Sequence, residues 1–183
     1  SAYAIPNYRP AHMNRQNRKG GGVSIFLHQS ITFKPRDYLS LSNDSIECIF
    51  IEVLRFPNDP NCKPLIAVIY RPPNSDFGAF LETLTHLFQK IKTEKRSCYI
   101  MGDFNLNISN QTHNSNAQEF LDLMHTSSFI QHIHQPTRIA AHSQTLLDNI
   151  FSNTITPLQT SGILHTDITD HFPIFLLNTS KQE

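Results

Sequence analysis

A carboxylate and a carboxamide two residues apart, Asp103 and Asn105, leave the end of the short apolar run Tyr99-Ile100-Met101-Gly102. Gly102 lets the backbone turn tightly, and the i, i+2 spacing lets both side chains point the same way. Such a pair can hold a metal, orient a water or bind a phosphate oxygen. It can equally be an Asx turn that satisfies its own backbone. Asp170-His171 sits beside another apolar run, Phe172-Pro173-Ile174, where His171 is a natural base or transition-state stabiliser. Asp148 lies inside Thr145-Leu146-Leu147-Asp148-Asn149-Ile150-Phe151. A carboxylate there is costly unless it faces solvent or meets a cation such as a histidinium. Tyr70 and Asn74 close a further apolar run, either as polar contacts for a ligand or as a strand end and a capping turn.

Strands must deliver most of these groups. The pattern predicts strands over 23–27, 46–54 and 65–70, the last apolar enough to be buried on both faces. Ser75 or Asp76 can cap a helix in which Phe77, Phe80, Leu81, Leu84, Leu87, Phe88 and Ile91 form a core-facing stripe. A strand over 98–101 feeds Gly102-Asp103-Phe104-Asn105, and a second helix is predicted over 117–125. The last third reads as strands over 129–134, 145–151, 158–164 and 172–177. Strands outnumber helices and the helices fall between them, which points to an α/β sandwich with a site on strand-end loops.

The 183 residues suit one domain, and 39% hydrophobic with 16% charged residues reads as globular. Formal net charge is zero, so bulk charge announces no nucleic acid. A local patch can still bind phosphate, and Arg9, His12, Arg15, Arg18 and Lys19 lead into Gly20-Gly21-Gly22. The alternative is a solvated basic loop. Three widely spaced cysteines, Cys48, Cys62 and Cys98, argue for a reducing compartment and against a zinc ribbon or disulfide frame. No signal-peptide pattern or membrane-length apolar run occurs, so neither secretion nor a membrane partner is expected. His132 and His134 share one face at i, i+2, but no third ligand is near in sequence, and an exposed strand face is the reading taken.

Taken in order, Gly20-Gly21-Gly22-Val23, Tyr70-Arg71-Pro72-Pro73-Asn74, Gly102-Asp103-Phe104-Asn105, Leu146-Leu147-Asp148 and Thr169-Asp170-His171-Phe172-Pro173 resemble the endonuclease/exonuclease/phosphatase superfamily. Arg71-Pro72-Pro73-Asn74 and Pro136-Thr137-Arg138 are most similar to the apurinic-type endonuclease domain of non-LTR retrotransposons. The resemblance implies a DNase I-like four-layer α/β sandwich that hydrolyses phosphodiesters with a divalent ion, magnesium or else manganese, and no small-molecule cofactor. It implies a DNA target nicked for retrotransposition, a reverse transcriptase downstream, and action in the nucleus, with the cytoplasm as the alternative. By the same resemblance His171 acts at the scissile phosphate and Asp148 orients it. Asp103 aligns or deprotonates the attacking water, Asn105 and Tyr70 contact phosphate oxygens, and Asp170 belongs to the metal site. Asn74 and Thr137 lie beside the DNA groove or support the site, while Arg18 and Lys19 are the DNA- or phosphate-binding candidates of the basic patch.

Two features depart from the family pattern. An Asn and a Glu on two strands upstream of the glycine-rich segment complete the family's metal site, whereas the 19 residues before Gly20 hold no glutamate. Glu47 and Glu52 fall on a later strand and are poor substitutes, and Thr169 stands where serine is common. The chain also opens on Ser1. The expectation is one domain over 1–183, incomplete at its N-terminus and lacking the first strands. Two alternatives follow: an inactive remnant that at most binds DNA, and a phosphatase or RNA exonuclease of the same fold.

Overall fold

A computed structural model describes residues 4–13, 22–109, 114–155 and 159–179. Arg15, Arg18, Lys19, Gly20 and Gly21, expected to contact DNA or to precede the first strand, lie outside the described residues. The centre is a seven-stranded sheet whose path runs β3 (Thr32–Pro35), β5 (Glu47–Arg55), β6 (Leu65–Tyr70), β7 (Cys98–Asp103), β11 (Asp148–Ser152), β8 (Ile130–Gln131), with β4 (Leu41–Ser42) also on β5. The β6–β7 pair is parallel and the other pairs are antiparallel. Helix α1 (Phe77–Glu94) makes the parallel crossover, and α2 (Ser115–Thr126) follows β7.

The expected apolar stripe is what α1 buries: Phe80, Leu81, Leu84, Leu87, Phe88 and Ile91. Asp76 is its N-cap, accepting from the Ala79 N–H at 2.7 Å. With Phe120, Leu121 and Met124 of α2, this stripe packs on Cys48, Phe50, Ala67, Ile69 and Ile100, one face of the sheet. Side-chain alternation sends Ile49, Ile51, Ile66, Val68 and Tyr70 to the other face, against Ala11, Val23, Ile25 and Leu27 of a hairpin, β1 (Tyr8–Met13) and β2 (Val23–His28). A second hairpin, β12 (Gln159–Ile163) and β13 (Ile174–Asn178), lies over the β7–β11 part of the sheet, where Gln159 Nε2 approaches the Tyr99 hydroxyl at 3.5 Å. Helices on one side and paired strands on the other make the expected α/β sandwich.

Three local expectations change. Residues 8–13, read as part of a basic loop, form an edge strand despite Pro10, whose missing N–H an edge tolerates. Arg9 stacks over Phe33 at 5.3 Å, at the end of β1 away from Gly22. The strand expected over 145–151 splits into β10 (Ser143–Thr145), paired with β9 (Arg138–Ala140), and β11. The run 129–134 keeps only Ile130–Gln131 as strand. His132 there bonds Ser152 Oγ at 2.7 Å while His134 is exposed.

All three cysteines are free. Burial pushes the Cys48 and Cys98 thiols up to about 12, as inert core residues. Among the described residues no helix is long and apolar enough to cross a membrane.

Candidate active site

Cross-strand register brings one residue per strand into a row: Glu47 opposite Tyr70, Tyr70 opposite Asp103, and Asp103 opposite Asp148. Paired residues share a face, so all four project from the hairpin side at the end of the sheet where β6 and β7 finish. Gly102 is what brings β7 there. Its φ is +154°, and a Cβ built on it would lie 1.7 Å from the Ile69 carbonyl oxygen.

Beyond Asp103 the chain makes the Asx turn weighed above. Asp103 Oδ1 accepts the Asn105 N–H at 2.9 Å, with Asn105 at φ 45°. Asn105 Nδ2 donates to the Arg71 carbonyl at 2.8 Å and more weakly to Asp103 Oδ2 at 3.3 Å. Both amide hydrogens are therefore committed within the protein, so here Asn105 holds Asp103 rather than offering donors to a phosphate. Arg71, which had no assigned role, is the tie between the two strand-end loops. Its guanidinium donates to the Asn105 carbonyl at 3.1 Å and the Ser75 carbonyl at 2.9 Å, over the rings of Phe77 and Phe80. Asn74, with φ 61°, is exposed on this loop.

The third part of the site comes from the loop between β12 and β13. His171 forms a β-bridge with Arg138, the Phe172 N–H donates to the Thr137 carbonyl at 2.7 Å, and the Ile139 N–H donates to the Asp170 carbonyl at 3.0 Å. His171 Nδ1 then lies 2.9 Å from Asp148 Oδ2. A carboxylate oxygen can only accept, so Nδ1 carries the proton and Nε2 is the nitrogen left for chemistry. Asp148, the carboxylate that needed a partner, has found a histidine.

Thr137 lies beneath this pair and not at a DNA-facing surface: it is 0% exposed. Its hydroxyl donates to Asp148 Oδ2 at 2.7 Å and accepts the N–H groups of Leu147 at 3.1 Å and Asp148 at 3.0 Å. Of its two expected places, the supporting one is where it stands. Thr137→Val keeps the shape and removes all three bonds, leaving buried donors unsatisfied. The expected loss is about 1–3 kcal/mol in urea unfolding, with Asp148 no longer fixed beside His171.

Asp103, Asp148 and His171 offer ligand atoms that all lie within 4.8 Å of one another, and no other such group occurs among the described residues. Two carboxylates and an imidazole suit a divalent cation, the oxygens of Asp103 and Oδ2 of Asp148 being held by hydrogen bonds within the protein. Burial raises the proton affinity of Asp103 and Asp148 adds to this, outweighing the Asn105 N–H, His171 and Arg138. A cation would relieve that cost. Without one, ionised Asp103 subtracts from stability at any pH above its raised pKa. The penalty fades as the pH falls through that value towards the unfolded carboxylate range. Asp103→Asn keeps the Oδ1 acceptor, so it is expected to raise the melting temperature in EDTA near neutrality. In calorimetry the gain should shrink as the pH falls through the raised value and be gone below pH about 4.

Asp170, expected at the metal, is outside that group. Its carboxylate is held by Arg138, whose Nε donates to Oδ2 at 2.7 Å, and this bond foremost keeps its pKa below the ordinary value. Glu52 is at the far end of β5, buried among Lys34 at 3.1 Å, Arg36 at 2.6 Å and Arg96 at 2.7 Å. Glu47 is 1% exposed and accepts the Gly22 N–H at 2.8 Å, which seats Gly22 at the end of the row.

A family model described as endonuclease-reverse transcriptase matches residues 65–175. No curated protein matches the chain in sequence. Among solved structures, the endonuclease domain of TRAS1, a telomere-specific non-LTR retrotransposon, superposes with a TM-score of 0.72 at 14% identity, over 94% of this chain and 78% of that one. The catalytic domain of Xenopus laevis APE2 gives 0.65 at 15% identity, over 94% and 76%. The 3′ phosphatase NExo from Neisseria, bound to a product DNA hairpin, gives 0.62 at 11%, over 92% and 78%. At such identities the likeness is one of fold.

Proposed function

The chain belongs to the endonuclease-reverse transcriptase family, within the endonuclease/exonuclease/phosphatase superfamily, and from that premise we propose that it is a magnesium-dependent endonuclease that nicks DNA for retrotransposition. One observation carries the reading: Asp103, Asp148 and His171 come from three separate segments to within 4.8 Å of one another at the end of the sheet. That is the equipment of phosphodiester hydrolysis, a proton-transfer group beside carboxylates that can meet a cation. A downstream reverse transcriptase, the activity that the family description names beside the endonuclease, belongs to the same reading, and action in the nucleus is proposed with it.

Each side chain has a task that its surroundings allow. Thr137 and Asp148 fix the His171 ring with its proton on Nδ1, leaving Nε2 to exchange a proton with the reacting oxygens or to hold charge developing on the phosphate. Asp103, kept at a set angle by the Asn105 N–H, can accept a hydrogen bond from the attacking water. Tyr70, next to Asp103 in the row, would meet a phosphate oxygen in this reading. Magnesium held by Asp103 would neutralise charge on the phosphate and lower the barrier to attack.

The test is conversion of supercoiled plasmid to open circle, with magnesium and with EDTA. Nicking that requires magnesium is the expected result. A folded sample that leaves the plasmid intact under both conditions, or cuts it equally in EDTA, sinks the proposal.

A further inference from the structure

Among the described residues two guanidinium groups border the site. Arg71 is buried and committed to the carbonyls of Asn105 and Ser75. Arg138 is different: its side chain is 41% exposed, and it leaves β9 directly opposite His171. Its bridge partner His171 bonds Asp148, so it stands beside the reacting groups. Its bond to Asp170 uses Nε alone, at 2.7 Å. Fixing an arginine through Nε preorganises the remaining fork, whose terminal nitrogens match the paired oxygens of a phosphate. Exposed ion pairs do little for folding, so this one gains its meaning from where it is.

We propose that Arg138 is a phosphate-binding residue of the site, contacting the DNA backbone with its terminal nitrogens while Asp170 orients it. The inference rests on the endonuclease reading and adds a substrate contact to it. It also gives Asp170 a role that involves no metal. Binding of a phosphodiester then needs no side chain to be ordered at the moment of encounter, because the guanidinium is already held.

The experiment is anisotropy titration of a labelled DNA duplex in EDTA across a salt series, so that no turnover intervenes. Replacing a phosphate contact by a neutral side chain should lower the slope of log K against log salt by about 0.9. Arg138→Gln is expected to show that loss with about tenfold weaker binding at moderate salt. Arg138→Lys, which keeps the charge, should restore the slope. In an Asp170→Asn background the Arg138→Gln loss should be smaller, since the fork is no longer held. A slope unchanged in Arg138→Gln, while the wild-type protein binds DNA, overturns the proposal and leaves the endonuclease reading standing. Additive losses in the double variant overturn the part given to Asp170. No DNA binding by the wild-type protein overturns the reading on which both depend.

Discussion

His171→Ala is expected to slow magnesium-dependent nicking by about 10²–10⁴-fold, the usual share of a positioned acid–base group. Among the described residues the ring is the one imidazole that a carboxylate holds at the end of the sheet, through Asp148 Oδ2 at 2.9 Å. It is a third exposed, at 34%, on a loop tied down by backbone bonds at Thr137 and Asp170 that the substitution leaves in place. Folding should therefore survive. Asp148 keeps its bond from the Thr137 hydroxyl and gains water where the ring stood. Near-native circular dichroism with activity lost is the signature sought, by the plasmid assay at matched protein concentration. Nicking within a few-fold of the wild-type rate would remove His171 from the chemistry.

Gly102→Ala should be the most damaging single methyl group in the chain. At φ +154° an alanine is already strained, and its Cβ would meet the Ile69 carbonyl oxygen at 1.7 Å, inside any contact distance. The obstacle is backbone, so no side-chain rotamer can yield. Relief would require separating β6 from β7, the two parallel strands at the middle of the sheet, between Ile69 and its partner Gly102. A destabilisation of at least about 3 kcal/mol is expected. In a chain of this size that lowers the melting temperature by about 6–12 °C. Calorimetry reads it directly, and a melting temperature within a degree of the wild type would show that the close approach is not real.

The strand-end groups were legible because they sit at abrupt changes in the pattern. Asp103 follows an apolar run and a glycine, and Asp170-His171 precedes one. Asp148 stood out as a carboxylate within a strand that had to be paired. Local rules do not say with what, and the histidine that answers is 23 residues further on. Thr137 shows the limit from the other side. A threonine after a proline reads as a surface turn, and nothing local reveals that its hydroxyl lies beneath Asp148. Asn105 and Arg71 show it again: which atoms remain free is decided by loops that meet only in the folded state. The strand Tyr8–Met13 was hidden by Pro10 and by charged neighbours, and its pairing with Val23–His28 supplies the order that the pattern lacked. Glu47, set aside as a poor substitute for a ligand, has instead a buried place beside Tyr70. Its strand was predictable and its rank in the row was not, because register is a property of pairs.

The row Glu47, Tyr70, Asp103 and Asp148 also restricts how the gene can change length. Each member comes from a different strand, and neighbouring side chains in a strand alternate between faces. Inserting or deleting one residue within β5, β6, β7 or β11 would rotate that strand's member to the helix side, among Phe50, Ala67 and Ile100. A neighbouring residue of another type would take its place at the reacting end. Changes of two would keep the face but move the group about 6–7 Å along the strand. Single-residue length variation is thus admitted at exposed turns, such as 57–61 between β5 and β6 or Ala141 and His142 at the β9–β10 tip, and excluded from the four strands.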